Sequence, residues 1–173
     1  RIGIPSAAQV ALRTIAMSSF VSVLARMTDG PAIVAAMSVG MRAEGLAYMP
    51  GMAFNVAAAT LVGQNLGAKK PEQANHAAWV AAWQSAAVMT VMGLAFYIFA
   101  EPIAWRFAAE EARPYVVSYL RINAICEPFL ALAMTLTGAS QGAGDTARPM
   151  WVMIVTMWLV RLPPAWYFGL HLG

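Results

Sequence analysis

Charge is scarce in this chain of 173 residues: only 11% are Asp, Glu, Lys or Arg, against about 25% in an average soluble domain. With 60% hydrophobic residues and a mean hydropathy of +0.61, water is not the main solvent of its surface. A single cysteine, Cys126, excludes an internal disulfide, and its apolar neighbourhood predicts a buried thiol rather than a reactive one. Lysine is limited to the adjacent pair Lys69 and Lys70, and the nine arginines are scattered. The formal charge of +3 is therefore not gathered into the basic patch that nucleic-acid binding needs. The two histidines, His76 and His171, belong to no metal-ligand spacing, and no nucleophile–base pattern is present, so no enzymatic activity is read. Gly67-Ala68-Lys69-Lys70-Pro71 lacks both the preceding strand and the Lys-Ser/Thr ending of a phosphate loop, and no nucleotide cofactor is implied. The first apolar segment does not read as a cleavable signal peptide, because it holds Arg13 and runs on into further spans.

What the chain has is long apolar runs. Windows of about 20 apolar residues predict five spans, near Ile4–Leu24, Ala32–Val62, Ala77–Ala100, Tyr115–Thr137 and Met150–Leu170, hence an all-α polytopic membrane protein with a five-helix bundle. Pro5, Pro31, Pro114 and Pro149 stand at or before the first turns, where a missing N–H does no harm. The second span is too long to cross untilted and holds Met49-Pro50-Gly51 near its middle, so a kink is expected there. Trp79, Trp105, Trp151, Trp166 and Tyr167 fall near span ends as interfacial aromatics do, while Trp83 and Trp158 lie deeper.

A repeat underlies this arrangement. The phrase Thr-Leu-x-Gly-x-x-x-Gly-Ala occurs at Thr60–Ala68 and again, 75 residues later, at Thr135–Ala143. Two spans and their loops fill that interval, so a two-span unit is used twice, as in many secondary transporters. The pairs Gly63/Gly67 and Gly138/Gly142 fit both close helix contact and helix termination; termination is the favoured reading. The chain opens on Arg1 and has an odd number of expected crossings. It is therefore expected to be a fragment whose two ends lie on opposite sides of the membrane.

Charge near the span ends decides orientation weakly. With Lys69 and Lys70 on the cytoplasmic side, Arg1, Lys69, Lys70 and Arg148 lie inside against Arg26, Arg106 and Arg113 outside. Residues 101–113 mix Ile103, Trp105 and Phe107 with charges, which predicts a short interfacial helix.

The functional signal is polar residues at membrane depth, where a charge costs about 3 kcal/mol or more and normally faces a bundle interior. On the second span Gly40, Glu44, Tyr48, Gly51 and Asn55 recur at helical spacing on one face. On the fourth, Tyr119, Asn123, Glu127, Met134 and Gly138 do the same. Pro128 follows Glu127 and leaves the carbonyl one turn earlier without its helical donor, a site for an ion or water. Glu127 and Glu44 are the candidate ion-coupling residues, with Na⁺ or a proton as the ion; Tyr48, Asn55, Tyr119, Asn123 and Met134 are candidates for the cavity wall. Pro50, Gly51 and Pro128 are the expected bends. Arg13 and Arg121 read as charge partners rather than ligands.

The stretch from Pro50 through Asn55, Gly63-Gln64-Asn65-Leu66-Gly67-Ala68 and its basic pair resembles the end of the eighth helix of multidrug and toxic compound extrusion (MATE) transporters. Gly138-Ala-Ser-Gln-Gly-Ala-Gly-Asp-Thr-Ala-Arg-Pro149 is similar to the end of their tenth. The resemblance implies helices seven to eleven of a twelve-helix, two-lobe protein whose N-terminal lobe is the missing partner, with the Lys69/Lys70 and Asp145/Arg148 loops cytoplasmic. It also implies an antiporter of the plasma membrane, in bacteria the inner membrane, that exports small organic cations in exchange for Na⁺ or H⁺ without a cofactor, coupled by cavity-side acids such as Glu44 and Glu127. Two other readings remain at this point. One is a lipid-linked oligosaccharide flippase of the same superfamily, for which Arg13, Arg42 and Arg121 speak; the other is a non-transporting membrane scaffold.

Overall fold

In the computed structural model, residues 14–22, 24–26, 29–156, Pro163 and Tyr167 are described. Arg13, Trp158, Trp166 and His171 lie outside them. Among the described residues the elements are α1 (Gly30–Gly67), α2 (Pro71–Ile98), α3 (Ala100–Phe107), a 3₁₀ turn at Glu110–Ala112, α4 (Arg113–Gly142) and α5 (Ala147–Ile154), with residues 14–22 also helical. α1, α2 and the stretch Glu110–Gly142 are each long and apolar enough to cross a membrane, and the protein is an all-α integral membrane protein. α1 has 38 residues, a length of about 57 Å at about 1.5 Å per residue, well beyond a hydrocarbon core of about 30 Å. It runs through Pro50 as one helix. Pro71 and Pro114 occupy the first turns of α2 and α4, where no helical hydrogen bond is lost.

The chain divides into two compact units, Ala36–Gly144 and the pair of segments Arg1–Ala35 with Asp145–Gly173. In the second of these, Asp145 starts α5: its Oδ1 accepts the Arg148 backbone N–H at 3.2 Å and its Oδ2 pairs with Arg148 Nε at 3.0 Å. The Ala36–Gly144 unit holds the core, where α1, α2 and α4 pack mainly through alanine and glycine. Ala58 and Val62 of α1 meet Ala74, Ala78 and Ala81 of α2 and Ala139 of α4. Further along, Ala47, Ala86, Met89 and Ala131 form a second cluster, and Ala36, Ala100, Ala104, Val116 and Leu120 a third that anchors α3. Small side chains are what a helix seam in lipid requires, because association there rests on close backbone approach and dispersion rather than on expulsion of water. Large apolar side chains such as Leu46, Met49, Val91, Leu94, Ile122, Ile125 and Phe129 stay exposed, as expected of spanning helices.

Cys126 corrects one expectation from the sequence. It is exposed, because it follows Ile122 and Ile125 and precedes Phe129 on the outward apolar stripe of α4, all three highly exposed. An apolar context in a membrane helix marks lipid exposure as readily as burial.

The interfacial helix expected over residues 101–113 takes the form of α3 and the 3₁₀ turn. Two arginines of α4 fasten it. The Arg113 guanidinium stacks 4.0 Å from the Trp105 ring centre, and Arg121 pairs with Glu101 at 2.9 Å while lying 5.5 Å from the Tyr97 ring centre. Arg121 is thus a charge partner, as its position suggested.

Candidate ion-coupling site

Helix register assembles the site. Gly51 of α1 lies against the sulfur atoms of Met89 and Met134, and one turn on, Asn55 Nδ2 donates to the Met134 carbonyl at 2.6 Å. Gly138 then faces Asn55, and Gly142 faces Ala59. A Cβ at either glycine would overlap backbone atoms of α1, so only glycine permits this approach. Each four-residue step along α1 is a four-residue step along α4, so the two helices run parallel. Carried back two turns from Gly51 and Met134, the same register sets Glu44 level with Glu127.

Against α2 the direction reverses. Gly93 abuts Glu127, Met89 shares a cluster with Ala131, and Ala81 shares one with Ala139. The intervening step of this antiparallel ladder pairs the levels of Ser85 and Thr135. Glu127 is 2% exposed and both hydroxyl residues 0%. Glu127 Oε2, Ser85 Oγ and Thr135 Oγ1 have no hydrogen-bond partner among the described residues. Unsatisfied buried polar atoms are costly, about 1–3 kcal/mol each, and persist where function requires them.

The other candidates lie along the same two helices, α1 and α4. Glu44, Tyr48, Asn55, Tyr119, Asn123, Met134, Pro50 and Pro128 are half-buried, and Gly51 is buried. The Tyr119 ring packs on Gly40. Asn55 has its amide donor committed to α4, which makes it a tie between helices. The carbonyl that Pro128 leaves without a helical donor, Ala124 O, is not open to an ion: a Cβ on Gly93 would lie 2.8 Å from it, so the backbone of α2 covers it. An apolar groove of about 510 Å³ at the α2–α3 corner is lined by Ala95, Phe96, Phe99, Pro102, Ile103, Arg106 and Phe107, none of them a candidate.

Ser85, Thr135 and Gly93 were missed in the sequence. The signal available was the spacing of small residues along α2, where Ala74, Ala78, Ala82 and Ala86 are all buried. It marks the packed side of α2, and Ser85, Met89 and Gly93 lie on the flank of that side that meets α4.

Comparison with known proteins closes the question of kinship. The MatE family matches residues 5–167. The probable multidrug resistance protein NorM of Thermotoga maritima is 27% identical over 183 residues, covering 99% of this chain and 38% of that protein. The multidrug resistance protein PmpM of Pseudomonas aeruginosa is 27% identical over 172 residues, 98% of this chain and 35% of its own length. Protein DETOXIFICATION 30 of Arabidopsis thaliana is 27% identical over 180 residues, 100% of this chain and 34% of its own. The chain thus spans between a third and two fifths of these relatives, and with its match to the family running almost from end to end, it belongs to the MatE family of membrane transporters.

Proposed function

We propose that the full-length protein is a secondary active antiporter of the plasma membrane, the inner membrane in a bacterium, that exports cationic amphiphilic compounds in exchange for Na⁺ or H⁺. On this reading the chain supplies helices seven to eleven, an N-terminal lobe completes the pathway, and no cofactor takes part. The observation that carries it is the buried Glu127 side chain, its Oε2 without a partner among the described residues, at the register level of Glu44 on the neighbouring helix. The relatives' names as multidrug resistance proteins support drug export in particular.

Two carboxylates at one level of a low-dielectric bundle repel when both are charged, and a bound cation relieves that repulsion. A proton or Na⁺ entering from outside and a cationic drug loaded from inside are alternative ways of relieving it. Each therefore lowers the affinity for the other, which is the condition for exchange. Alternating access lets the ion discharge the drug outward and the drug discharge the ion inward. Tyr48, Tyr119 and Asn123, half-buried on the flanks of the same helices, supply aromatic faces and an amide for a flat organic cation.

The flippase alternative loses support because Arg121 is taken by Glu101 and Tyr97 and Arg42 is exposed, so neither is held ready for a pyrophosphate. Efflux of ethidium from vesicles containing the full-length protein, under an imposed Na⁺ or H⁺ gradient in turn, tests the proposal. One of the two gradients should drive efflux; failure of both to do so would refute antiport.

A further inference from the structure

Gly93 lies in the middle of an apolar run of α2 and carries no chemistry of its own, yet it touches two features of the site at once. A Cβ there would lie 2.8 Å from the Ala124 carbonyl oxygen, 3.2 Å from Glu127 Cβ and 3.3 Å from Glu127 Cγ. The first distance is shorter than any real Cβ contact with backbone, and neither α2 nor α4 can give way cheaply there. Pro128 is the reason that oxygen stands out: with no N–H at position 128, Ala124 O lacks its helical donor and turns toward whatever helix lies alongside. The Cα–H of Gly93 is the group that meets it, a weak donor that glycine alone can bring so close. The same close approach presses α2 onto the aliphatic stem of Glu127. Stem and carbonyl together fix how closely the Glu127 side chain is seated against the α2 backbone.

We propose that Gly93 is the positioning residue for the Glu127 carboxyl: by letting the α2 backbone seat against both the freed Ala124 carbonyl and the Glu127 stem, it sets where the ion-binding oxygen stands. The proposal rests on the reading of Glu127 as the coupling group. Replacing Gly93 by alanine forces α2 and α4 apart at this level and displaces the carboxyl, which changes ion affinity before it changes drug affinity. Gly45, whose Cβ would meet nothing within 4 Å, is the control glycine on a neighbouring helix.

The test is equilibrium binding of tetraphenylphosphonium to the purified full-length protein, displaced by a Na⁺ titration at fixed pH and by a pH titration without Na⁺. Gly93→Ala should shift the midpoint of ion displacement by about threefold or more, as misplacement of a ligand by a fraction of an ångström does. Its affinity for the phosphonium in the absence of competing ion should stay within about twofold of wild type, and Gly45→Ala should match wild type in both. Thermal unfolding run in parallel reports any packing loss. Glu127→Asp needs no new space and is the second variant. It withdraws the carboxyl by one methylene from the place where Gly93 holds it, and should shift the ion midpoint without loss of folded protein. Wild-type midpoints in both Gly93→Ala and Glu127→Asp would overturn the proposal. Glu127→Gln separates the two readings. If it abolishes ion displacement while Gly93→Ala leaves the midpoint unmoved, Glu127 couples and Gly93 does not position it; if Glu127→Gln itself keeps the wild-type midpoint, the coupling reading falls and the positioning of Glu127 falls with it.

Discussion

In the first copy of the repeat Thr60 is exposed, and its hydroxyl donates to the Val56 carbonyl at 2.9 Å. In the second, Thr135 is fully buried and its hydroxyl has no partner among the described residues. The contrast runs on through the glycines: Gly138 and Gly142 press on the α1 backbone at Asn55 and Ala59, whereas Gly67 has open space around it. The first turn bonds at the helix ends, by contrast, match in both copies. α1 ends at Gly67 and α4 at Gly142. Ala68 N–H donates to Gln64 O and Lys69 N–H to Leu66 O, and at the matching positions Ala143 donates to Ala139 and Gly144 to Gln141. Lys69 and Gly144, the two residues with positive φ among those described, at 59° and 82°, are equivalent sites of the repeat. Local sequence thus fixes how each helix stops, and tertiary placement decides what each copy does. The copy on α4 lies in the three-helix seam and carries a buried acid two turns upstream of its threonine. At the matching place on α1 stands Met52, which is exposed.

Packing should break the equivalence most. Gly142→Leu is expected to cost about 3 kcal/mol of stability through overpacking against α1, and Gly67→Leu less than about 0.5 kcal/mol, both read from thermal unfolding in detergent. Equal losses would mean the two copies pack alike after all. The turn residues should sharpen the shared part instead. Lys69→Gly relieves a left-handed lysine and should gain about 1 kcal/mol, while Gly144→Ala should lose about 1 kcal/mol, a reciprocal pair that a difference in turn geometry would abolish. The smallest effect lies at the threonines. Thr135→Val removes a buried hydroxyl that bonds nothing among the described residues and should stabilise by about 0.5 kcal/mol. Thr60→Val should leave stability unchanged within error; a clear loss at Thr135 would reveal a partner for its hydroxyl.

How much of this was legible beforehand follows from the range of the forces involved. The repeat, the long apolar helices, the short helix before α4 and the polar faces of α1 and α4 rest on local periodicity and turn chemistry, which a sequence displays directly. Register does not. That Glu44 stands level with Glu127, that Asn55 is spent on Met134 O and that Gly93 covers the Ala124 carbonyl are set by how alanine and glycine surfaces of different helices interlock, and many registers share the same periodicity. Cys126 shows the limit of composition in lipid: an apolar stretch has a lipid face and a core face, and only packing tells them apart. The glycine pairs were read as helix stops, which Gly67 and Gly142 are, but Gly138, Gly142 and, less tightly, Gly63 also lie in the contact between α1 and α4.

The central claim is that the acid in the second copy, and nothing at its counterpart in the first, carries ion coupling. Its direct measurement is gradient-driven ethidium efflux from proteoliposomes of the full-length protein, per folded molecule, for Glu127→Gln and Met52→Gln beside wild type. The account expects Glu127→Gln to lose about tenfold or more in rate while assembling normally, and Met52→Gln to stay within about twofold of wild type. Wild-type efflux from Glu127→Gln under the gradient that drives the parent protein would contradict it, and would move the coupling role to Glu44 or to the N-terminal lobe.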